Sequence, residues 1–262
     1  MEIRIMAVGD VVGTPGVQFL RRQLPKLRQQ KKIDFCVVNG ENAAMVGMTP
    51  SHGEEIFDAG ADCITLGNHT WHQREILTYL DDNPRVLRPD NFAPQNPGVG
   101  VGVYETDKGP VAVVNLIGRC NLDFHADNPF TKIDTILSKL DRMPVLVDFH
   151  GEATSEKLAM GFYLDGKVSA LWGTHTHVPT ADLRILPKGT GYITDLGMTG
   201  PKDSALGVDP QQSIALFRGE LTSRFKPAPG PNWLGGAIFT IDCGTGRCTA
   251  VEQVLLSEED RR

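Results

Sequence analysis

Short runs of apolar residues alternate along the chain with segments whose apolar positions recur at helical spacing. The first two runs, at 3–8 and 35–38, predict buried strands. Between them the apolar positions follow one helical face, at Val17, Leu20, Leu24 and Leu27. This order of strand, helix and strand is typical of the units that build a parallel sheet.

The same alternation continues towards the C-terminus. Further helices are predicted at 50–60, 73–80, 130–140, 153–162 and 210–217, and further strands at 63–66, 145–149, 169–172 and 192–194. Two hairpins, at 99–116 and 236–256, add antiparallel strands. The pattern therefore predicts an α/β fold in which hairpins extend the sheets.

Length and charge narrow the function classes. A chain of 262 residues suits one α/β domain, so a single domain over residues 1–262 is expected. The formal net charge of −6 argues against an extended nucleic-acid-binding face, because such a face needs dense Lys and Arg. A small phosphorylated substrate stays compatible with this charge. A closed homo-oligomer is also expected.

The cysteines and the apolar runs bear on location. The five cysteines form an odd set without Cys-x-x-Cys spacing, namely Cys36, Cys63, Cys120, Cys243 and Cys248. They are predicted to be reduced, mostly buried thiols of a cytosolic protein. No apolar run approaches membrane-spanning length, and the pattern of a signal peptide is absent. The expected location is the cytoplasm, with no membrane partner.

Two histidines one residue apart, His175 and His177, follow the apolar run at 169–172. In an extended segment such a pair projects to the same side, which suits joint work on metal ions. The pair alone does not distinguish a metal site from chance surface histidines.

Four other apolar runs are also followed by side chains that can bind metal. In chain order these are Asp10, then Glu41 and Asn42, then Asn68 and His69, and then His150. Sites in α/β sheets form outside the carboxyl ends of the strands, so these side chains are predicted to share one site. Their mixture of oxygen and nitrogen donors suits Mn, Fe or Zn, and a pair of ions about 3.5 to 4 Å apart accounts for the number of ligands.

These motifs resemble those of a known family. Gly9-Asp10, Gly40-Glu41-Asn42, Gly67-Asn68-His69, His150 and Gly173-Thr174-His175-Thr176-His177 are similar, in this order, to the motifs of the calcineurin-like metallophosphoesterases. The match is closer to the YmdB-like branch, which further resembles this chain at Glu152-Ala153-Thr154-Ser155-Glu156-Lys157 and at 194–200. The motifs span nearly the whole chain.

The resemblance implies a fold and an activity. The fold would be a two-sheet β sandwich flanked by helices, in four layers. The activity would be phosphodiesterase action on 2′,3′-cyclic nucleotides, with RNA ends as a further substrate class. The cofactor would be two transition-metal ions, iron first, with manganese or zinc as alternatives.

The resemblance also implies a ligand set. One ion would be bound by Asp10, Glu41, Asn42 and His177, and the other by Glu41, Asn68, His150 and His175. Glu41 would thus bridge the two ions. Two features depart from the broad superfamily, since Asp10-Val11-Val12 replaces Asp-x-His and Glu41 replaces the bridging Asp. Both match the YmdB-like branch.

The charge of such a centre implies a mechanism. Two ions lower the pKa of a bridging water, so that hydroxide attacks phosphorus in line while the ions neutralise the phosphate oxygens. His69 directly follows Asn68, and as imidazolium it would protonate the departing ribose oxygen as general acid. A further ligand or a packed core histidine is the alternative interpretation of His69.

Other interpretations stay open at this point. One is a regulatory or scaffold protein that keeps the metal site for binding nucleotide or RNA and turns over little. An amidohydrolase-type barrel is disfavoured, because its His-x-His normally follows the first strand. The roles of four polar residues also stay open, namely His72, Asp148, Asp195 and Arg119. Each could position a site residue, contact the substrate or have a plain structural role.

Overall fold

A computed structural model describes residues 1–122 and 125–261 of the chain. Its strands within these residues are β1 (Glu2–Val8), β2 (Asp10–Val11), β3 (Phe35–Asn39), β4 (Cys63–Thr65), β5 (Val86–Leu87), β6 (Val101–Thr106), β7 (Gly109–Ile117), β8 (Val145–His150), β9 (Ala170–Thr174), β10 (Arg184–Ile185), β11 (Gly191–Ile193), β12 (Met198–Pro201), β13 (Asn232–Asp242) and β14 (Cys248–Ser257). Its α-helices are α1 (Gly13–Lys31), α2 (Pro50–Asp58), α3 (Ile76–Asp82), α4 (Pro129–Leu137), α5 (Thr154–Leu164) and α6 (Pro210–Phe217), and a 3₁₀ turn follows at Glu258–Arg261.

The first sheet has the strand order β2-β12-β13-β1-β3-β4-β5, with β14 paired to β13. The strands β1, β3, β4 and β5 are parallel, so their carboxyl ends lie at one edge. The long hairpin of β13 and β14 is antiparallel, and β13 also pairs antiparallel with β1. The N-terminal half of the chain therefore builds the parallel part, and the C-terminal hairpin completes the sheet.

The second sheet has the order β10-β11-β9-β8-β7-β6. Strands β7, β8, β9 and β11 are parallel. The hairpin predicted at 99–116 is confirmed, because β6 pairs antiparallel with β7. Its register pairs Val101 with Val114 and Thr106 with Gly109.

Side-chain alternation along β1 shows how the layers pack. Ile3, Ile5 and Ala7 join a buried cluster with residues of the second sheet, whereas Met6 and Val8 join a cluster with helix α1. On its other face the second sheet packs against α4 and α5 in a third cluster. The order helix, sheet, sheet, helix confirms the predicted four-layer sandwich.

Two aromatic rings stack between the sheets. Trp172 of β9 is 1% exposed, and its ring centroid lies 5.8 Å from that of Phe239 in β13. This contact joins the second sheet to the first directly behind the end of β9. The buried Cys63 lies in the same core, whereas the buried Cys36 lies in the cluster on the α1 side of the first sheet, and burial raises the pKa of Cys63 to about 12.

The sequence pattern was wrong in some details. Helix α3 begins at Ile76, because residues 73–75 form a turn in which the Gln73 side chain donates to the Val46 carbonyl at 2.8 Å. The glycine-rich residues 13–16 form the first turn of α1, so the helix begins before the apolar positions that predict it. The strands β2, β5 and β10 have two residues each, which is too short for an alternation of apolar and polar residues to be recognised in the sequence.

None of the described helices is long and apolar enough to cross a membrane.

We predict that Trp172→Ala lowers the free energy of unfolding by about 3–5 kcal/mol, because it leaves a cavity between the sheets. The measurement is urea unfolding followed by circular dichroism. Phe217→Ala is the matched control, since Phe217 is 88% exposed and its removal leaves no cavity. Equal losses for both variants would contradict the packing described here.

Candidate metal centre

The predicted ligands lie where the carboxyl ends of both sheets meet. Glu41 and Asn68 follow the first-sheet strands β3 and β4, whereas His150 ends β8 and His175 follows β9 in the second sheet. Gly67 lets them approach, because a Cβ atom there would lie 2.4 Å from both Glu41 Oε2 and the His150 ring. The site is thus assembled by the sandwich and not by one segment.

Four of these side chains form a tight cluster. Asn68 Oδ1 lies 2.7 Å from His150 Nε2 and 2.9 Å from His175 Nδ1, and these two ring nitrogens are 3.1 Å apart. Glu41 Oε1 lies 3.2 Å from His150 Nε2. One ligand atom from each of Glu41, His150 and His175 lies within 4.8 Å of the others. Two oxygens and two nitrogens therefore converge on one small volume.

The hydrogen bonds behind His150 set its tautomer. Thr174 Oγ1 donates to Asp148 Oδ1 at 2.7 Å, so it accepts from His150 Nδ1, which is 2.9 Å away. Proton-bearing Nδ1 leaves Nε2 as the nitrogen that can bind metal. Asp148 also accepts from the Thr65 hydroxyl, and its hydrogen-bonded link to His150 runs through Thr174.

A carboxylate orients His175 in the same way. Glu152 Oε2 lies 3.1 Å from His175 Nε2, so the Nε2 proton points at the carboxylate and Nδ1 faces the cluster. Burial, together with the nearby charge of His150, lowers the pKa of His175 to about 3, which keeps the ring neutral. A neutral imidazole is the form that binds metal.

The second group consists of Asp10, Asn42 and His177. His177 Nδ1 lies 3.1 Å from the Leu206 carbonyl and donates to it, so Nε2 faces inwards, 3.8 Å from Asp10 Oδ1. Asn42 Nδ2 lies 3.1 Å from His177 Nε2 and 3.2 Å from Glu41 Oε1. Metal binding through the Asn42 oxygen requires a half-turn of its amide, since Oδ1 now accepts from His69 Nδ1 at 2.8 Å.

One buried atom tests whether these residues fit a metal. Asp10 Oδ1 is buried and has no hydrogen-bond partner among the described residues, whereas Oδ2 accepts the His175 N–H at 3.2 Å. A buried carboxylate oxygen without a partner is costly, and a cation between it and His177 Nε2 would satisfy it. The residues therefore fit a second ion beside the first cluster, with Glu41 Oε1 between the two groups.

Because the site is buried, the pKa of each ionisable group there depends strongly on the charges of its neighbours. Burial raises the pKa of Asp10 to about 6, against the opposing effect of His177 and His150. Burial also favours a higher pKa for Glu41, but the interactions with His150 and His69 outweigh this effect and lower the pKa of Glu41 to about 2. The carboxylate of Glu41 in turn overcomes the burial of His150 and raises its pKa to about 9.

A buried ion pair supports the loop that carries both histidines. Backbone φ is +100° at His175 and +63° at His177, a region that residues with a Cβ rarely adopt. Asp195 Oδ2 accepts the N–H of Thr176 between them at 3.2 Å and receives Lys157 Nζ at 2.7 Å. The Lys157 and Asp195 side chains are each 1% exposed, so the pair fixes this loop from inside.

His69 lies beside the metal-binding groups. Its backbone N–H donates to Glu41 Oε2 at 3.1 Å, and its ring makes an edge contact with His72, with centroids 4.9 Å apart. Burial is the main cause that lowers the pKa of His69, while Glu41 opposes the shift. The side chain is 29% exposed, so substrate can reach it.

The structure brings all the predicted site residues together, while their roles stay predictions. Of the four residues left open, Asp148 and Asp195 support the histidines and His72 contacts His69. Arg119 is exposed, and its backbone N–H donates to Glu156. Sequence reasoning missed the roles of Thr174, Glu152 and Lys157. Their place within the matched motifs was the one available signal.

Comparison with known proteins gives a consistent result. The family described as YmdB-like protein matches residues 6–254. A 2′,3′-cyclic-nucleotide 2′-phosphodiesterase of Bacillus subtilis (strain 168) is 45% identical over 260 residues, which cover 98% of each chain. A crystal structure described as a novel phosphatase, from Mycoplasma pneumoniae, has a TM-score of 0.92 at 37% identity, covering 98% of this chain and 94% of that one. The crystal structure of a hypothetical protein from Thermus thermophilus has a TM-score of 0.91 at 37% identity, covering 98% of this chain and 100% of that one.

We predict that Thr174→Val weakens metal binding about 10- to 100-fold, because His150 loses the acceptor that fixes its tautomer. The measurement is metal content after dialysis against graded chelator. Thr199→Val is the matched control, since the Thr199 hydroxyl is buried and has no partner among the described residues. If the two variants lose metal equally, the proposed link from Asp148 through Thr174 to His150 is wrong.

We also predict that metal uptake by chelator-treated protein depends on pH. His150, with its pKa raised to about 9, holds a proton at neutral pH that a metal must displace. Affinity for Mn²⁺ should therefore rise by about tenfold per pH unit from neutrality and level off above pH ~9. Calorimetry in two buffers of different ionisation enthalpy measures the released proton. Constant affinity over this interval would contradict the Glu41–His150 pairing.

Proposed function

Because the chain belongs to the YmdB-like protein family and is a phosphoesterase, we propose that it is a dinuclear metal-dependent phosphodiesterase of 2′,3′-cyclic nucleotides. The observation that carries this proposal is the position of Glu41 Oε1. It lies 3.2 Å from His150 Nε2 on one side and 3.2 Å from Asn42 Nδ2 on the other. A carboxylate oxygen that contacts both groups of candidate ligands is suited to bridge two cations once the Asn42 amide has turned.

We propose that each ion is held by the residues of these two groups, with Asn42 binding after the half-turn of its amide. Asp10, Asn42 and His177 would hold one ion, and Asn68, His150 and His175 the other, with Glu41 shared. Iron is proposed first, with manganese and zinc as alternatives, because imidazole, carboxylate and amide donors suit all three. When bound, such a pair supplies a nucleophile near neutral pH and neutralises charge on the phosphate.

His69 is proposed to deliver the proton to the leaving ribose oxygen. Its Nδ1 lies against the Asn42 amide, which leaves Nε2 as the nitrogen able to serve a substrate. The anionic phosphodiester would raise the lowered pKa of His69 on binding, because a nearby negative charge favours the imidazolium. We propose that His69 acts in its charged form once the substrate is bound.

The choice of leaving group tests this role. We predict that His69→Ala lowers kcat for adenosine 2′,3′-cyclic phosphate about 10²- to 10⁴-fold. It should lower kcat for bis-p-nitrophenyl phosphate far less, because p-nitrophenolate leaves without a proton. His125→Ala is the control, since His125 is exposed. Metal content is measured on each protein.

Two outcomes would contradict the proposal. Equal losses on both esters, at unchanged metal content, would show that His69 is not the general acid. A metal-loaded wild-type protein that binds the cyclic nucleotide but hydrolyses neither ester would favour the regulatory or binding role.

A further inference from the structure

An apolar cleft of about 570 Å³ opens directly above the candidate metal centre. Its floor contains Glu41, Asn42, His69, His175 and His177. Its apolar lining comes from two segments that are distant in sequence, one at 44–46 and one in the loop of residues 206–228, which contributes Leu206, Val208 and Phe225. The volume falls within the range of about 300–1,000 Å³ that is usual for small-molecule sites.

The first lining segment is held in a fixed conformation. Met45 has φ of +69°, and the Ala44 N–H donates to the Gly47 carbonyl at 3.0 Å. The Gln73 side chain donates to the Val46 carbonyl at 2.8 Å. Met45 and Val46 therefore present apolar atoms to the cleft from a fixed turn, and Val46 is 39% exposed.

The second segment, the 206–228 loop, is attached to the metal centre. The Leu206 carbonyl accepts from His177 Nδ1 at 3.1 Å, and a bridge between Val208 and Pro227 closes the base of the loop. The Asp209 N–H donates to the Lys226 carbonyl at 3.0 Å. A metal-binding histidine and the apolar lining are thus positioned by the same loop.

One side chain of this loop fixes the backbone around Phe225. Gln212 Nε2 donates to the Arg224 carbonyl at 3.2 Å, and Gln212 Oε1 accepts the Lys226 N–H at 2.8 Å. These bonds clamp the residues on both sides of Phe225. Phe225 is 37% exposed, and of the described residues that line the cleft it has the one aromatic ring besides the histidines.

We propose that this cleft is a nucleobase-binding subsite, in which the base of the substrate stacks on Phe225 while its phosphate reaches the floor; this inference rests on the proposed function. The base is the part of a cyclic nucleotide with apolar faces, so it matches the lining. Arg224 adjoins Phe225 in the lining and supplies a positive charge to an anionic substrate.

The lining also determines the expected selectivity. Apart from the floor, the described lining carries apolar side chains together with Thr176, Glu152 and Arg224, and it contains no further carboxamide. Stacking on Phe225, which every base can provide, is therefore the main contact expected for the base. Purine cyclic nucleotides should bind more tightly than pyrimidine ones, because they offer a larger stacking face.

The test compares a substrate that has a base with one that lacks it. Phe225→Ala should raise KM for adenosine 2′,3′-cyclic phosphate about 5- to 100-fold, with kcat little changed. It should leave kcat/KM for glycerol 1,2-cyclic phosphate unchanged. Phe225→Tyr should restore KM for the nucleotide. Phe217→Ala is the matched control, because Phe217 belongs to the same loop but is not part of the described lining.

The outcomes separate this inference from the proposed function. If Phe225→Ala affects both substrates equally or neither, the subsite is wrong although the phosphodiesterase stands. If light scattering shows that Phe225→Ala changes the oligomeric state instead of KM, the cleft binds a second copy and the inference is also wrong. If the wild type hydrolyses neither substrate, the proposed function fails, and calorimetry with adenosine 3′-monophosphate then decides the subsite. Weaker binding of adenosine 3′-monophosphate by Phe225→Ala than by the wild type would support the subsite. Equal binding by the two proteins would overturn it.

Discussion

The buried carboxylate of Glu41 is the constraint on which the site depends. A carboxylate removed from water is costly unless opposite charge and hydrogen-bond donors surround it. Here His150 Nε2, the His69 N–H and Asn42 Nδ2 lie within 3.2 Å of its two oxygens. These groups come from both sheets, so the carboxylate is stabilised only when the sandwich is complete. Folding and assembly of the candidate metal ligands are therefore coupled.

A second buried carboxylate joins the sheets beneath this site. Asp148 of the second sheet accepts from Thr65 of the first sheet and from Thr174 of its own sheet. Thr174 continues to His150, so one polar network links the centre of the sandwich to the metal-binding face. Burial raises the pKa of Asp148, against the effect of these donors. The ring of His150 is consequently held by the packing of the sheets themselves.

The sequence allowed the prediction that several candidate ligands share one site, because they directly follow apolar runs, as at Glu41, Asn68 and His150. Other features depend on tertiary contacts that no local pattern reveals. The sequence pattern places Lys157 in a helix, where a lysine is usually exposed. In the structure it is buried and paired with Asp195, which is distant along the chain. Glu152 gains its role only when the ends of β8 and β9 lie side by side. Helix α6 was expected from its apolar residues, but none of them is buried in the described structure, and the 206–228 loop that carries it lines the cleft instead.

The central claim is that two metal ions are bound with Glu41 between them. Anomalous diffraction from crystals of the metal-loaded protein, collected at the absorption edge of the bound metal, tests it most directly. Two peaks about 3.5–4 Å apart are expected, one beside Asp10 and His177 and one beside His150 and His175. A single peak, or a second peak remote from Asp10, would contradict the dinuclear centre.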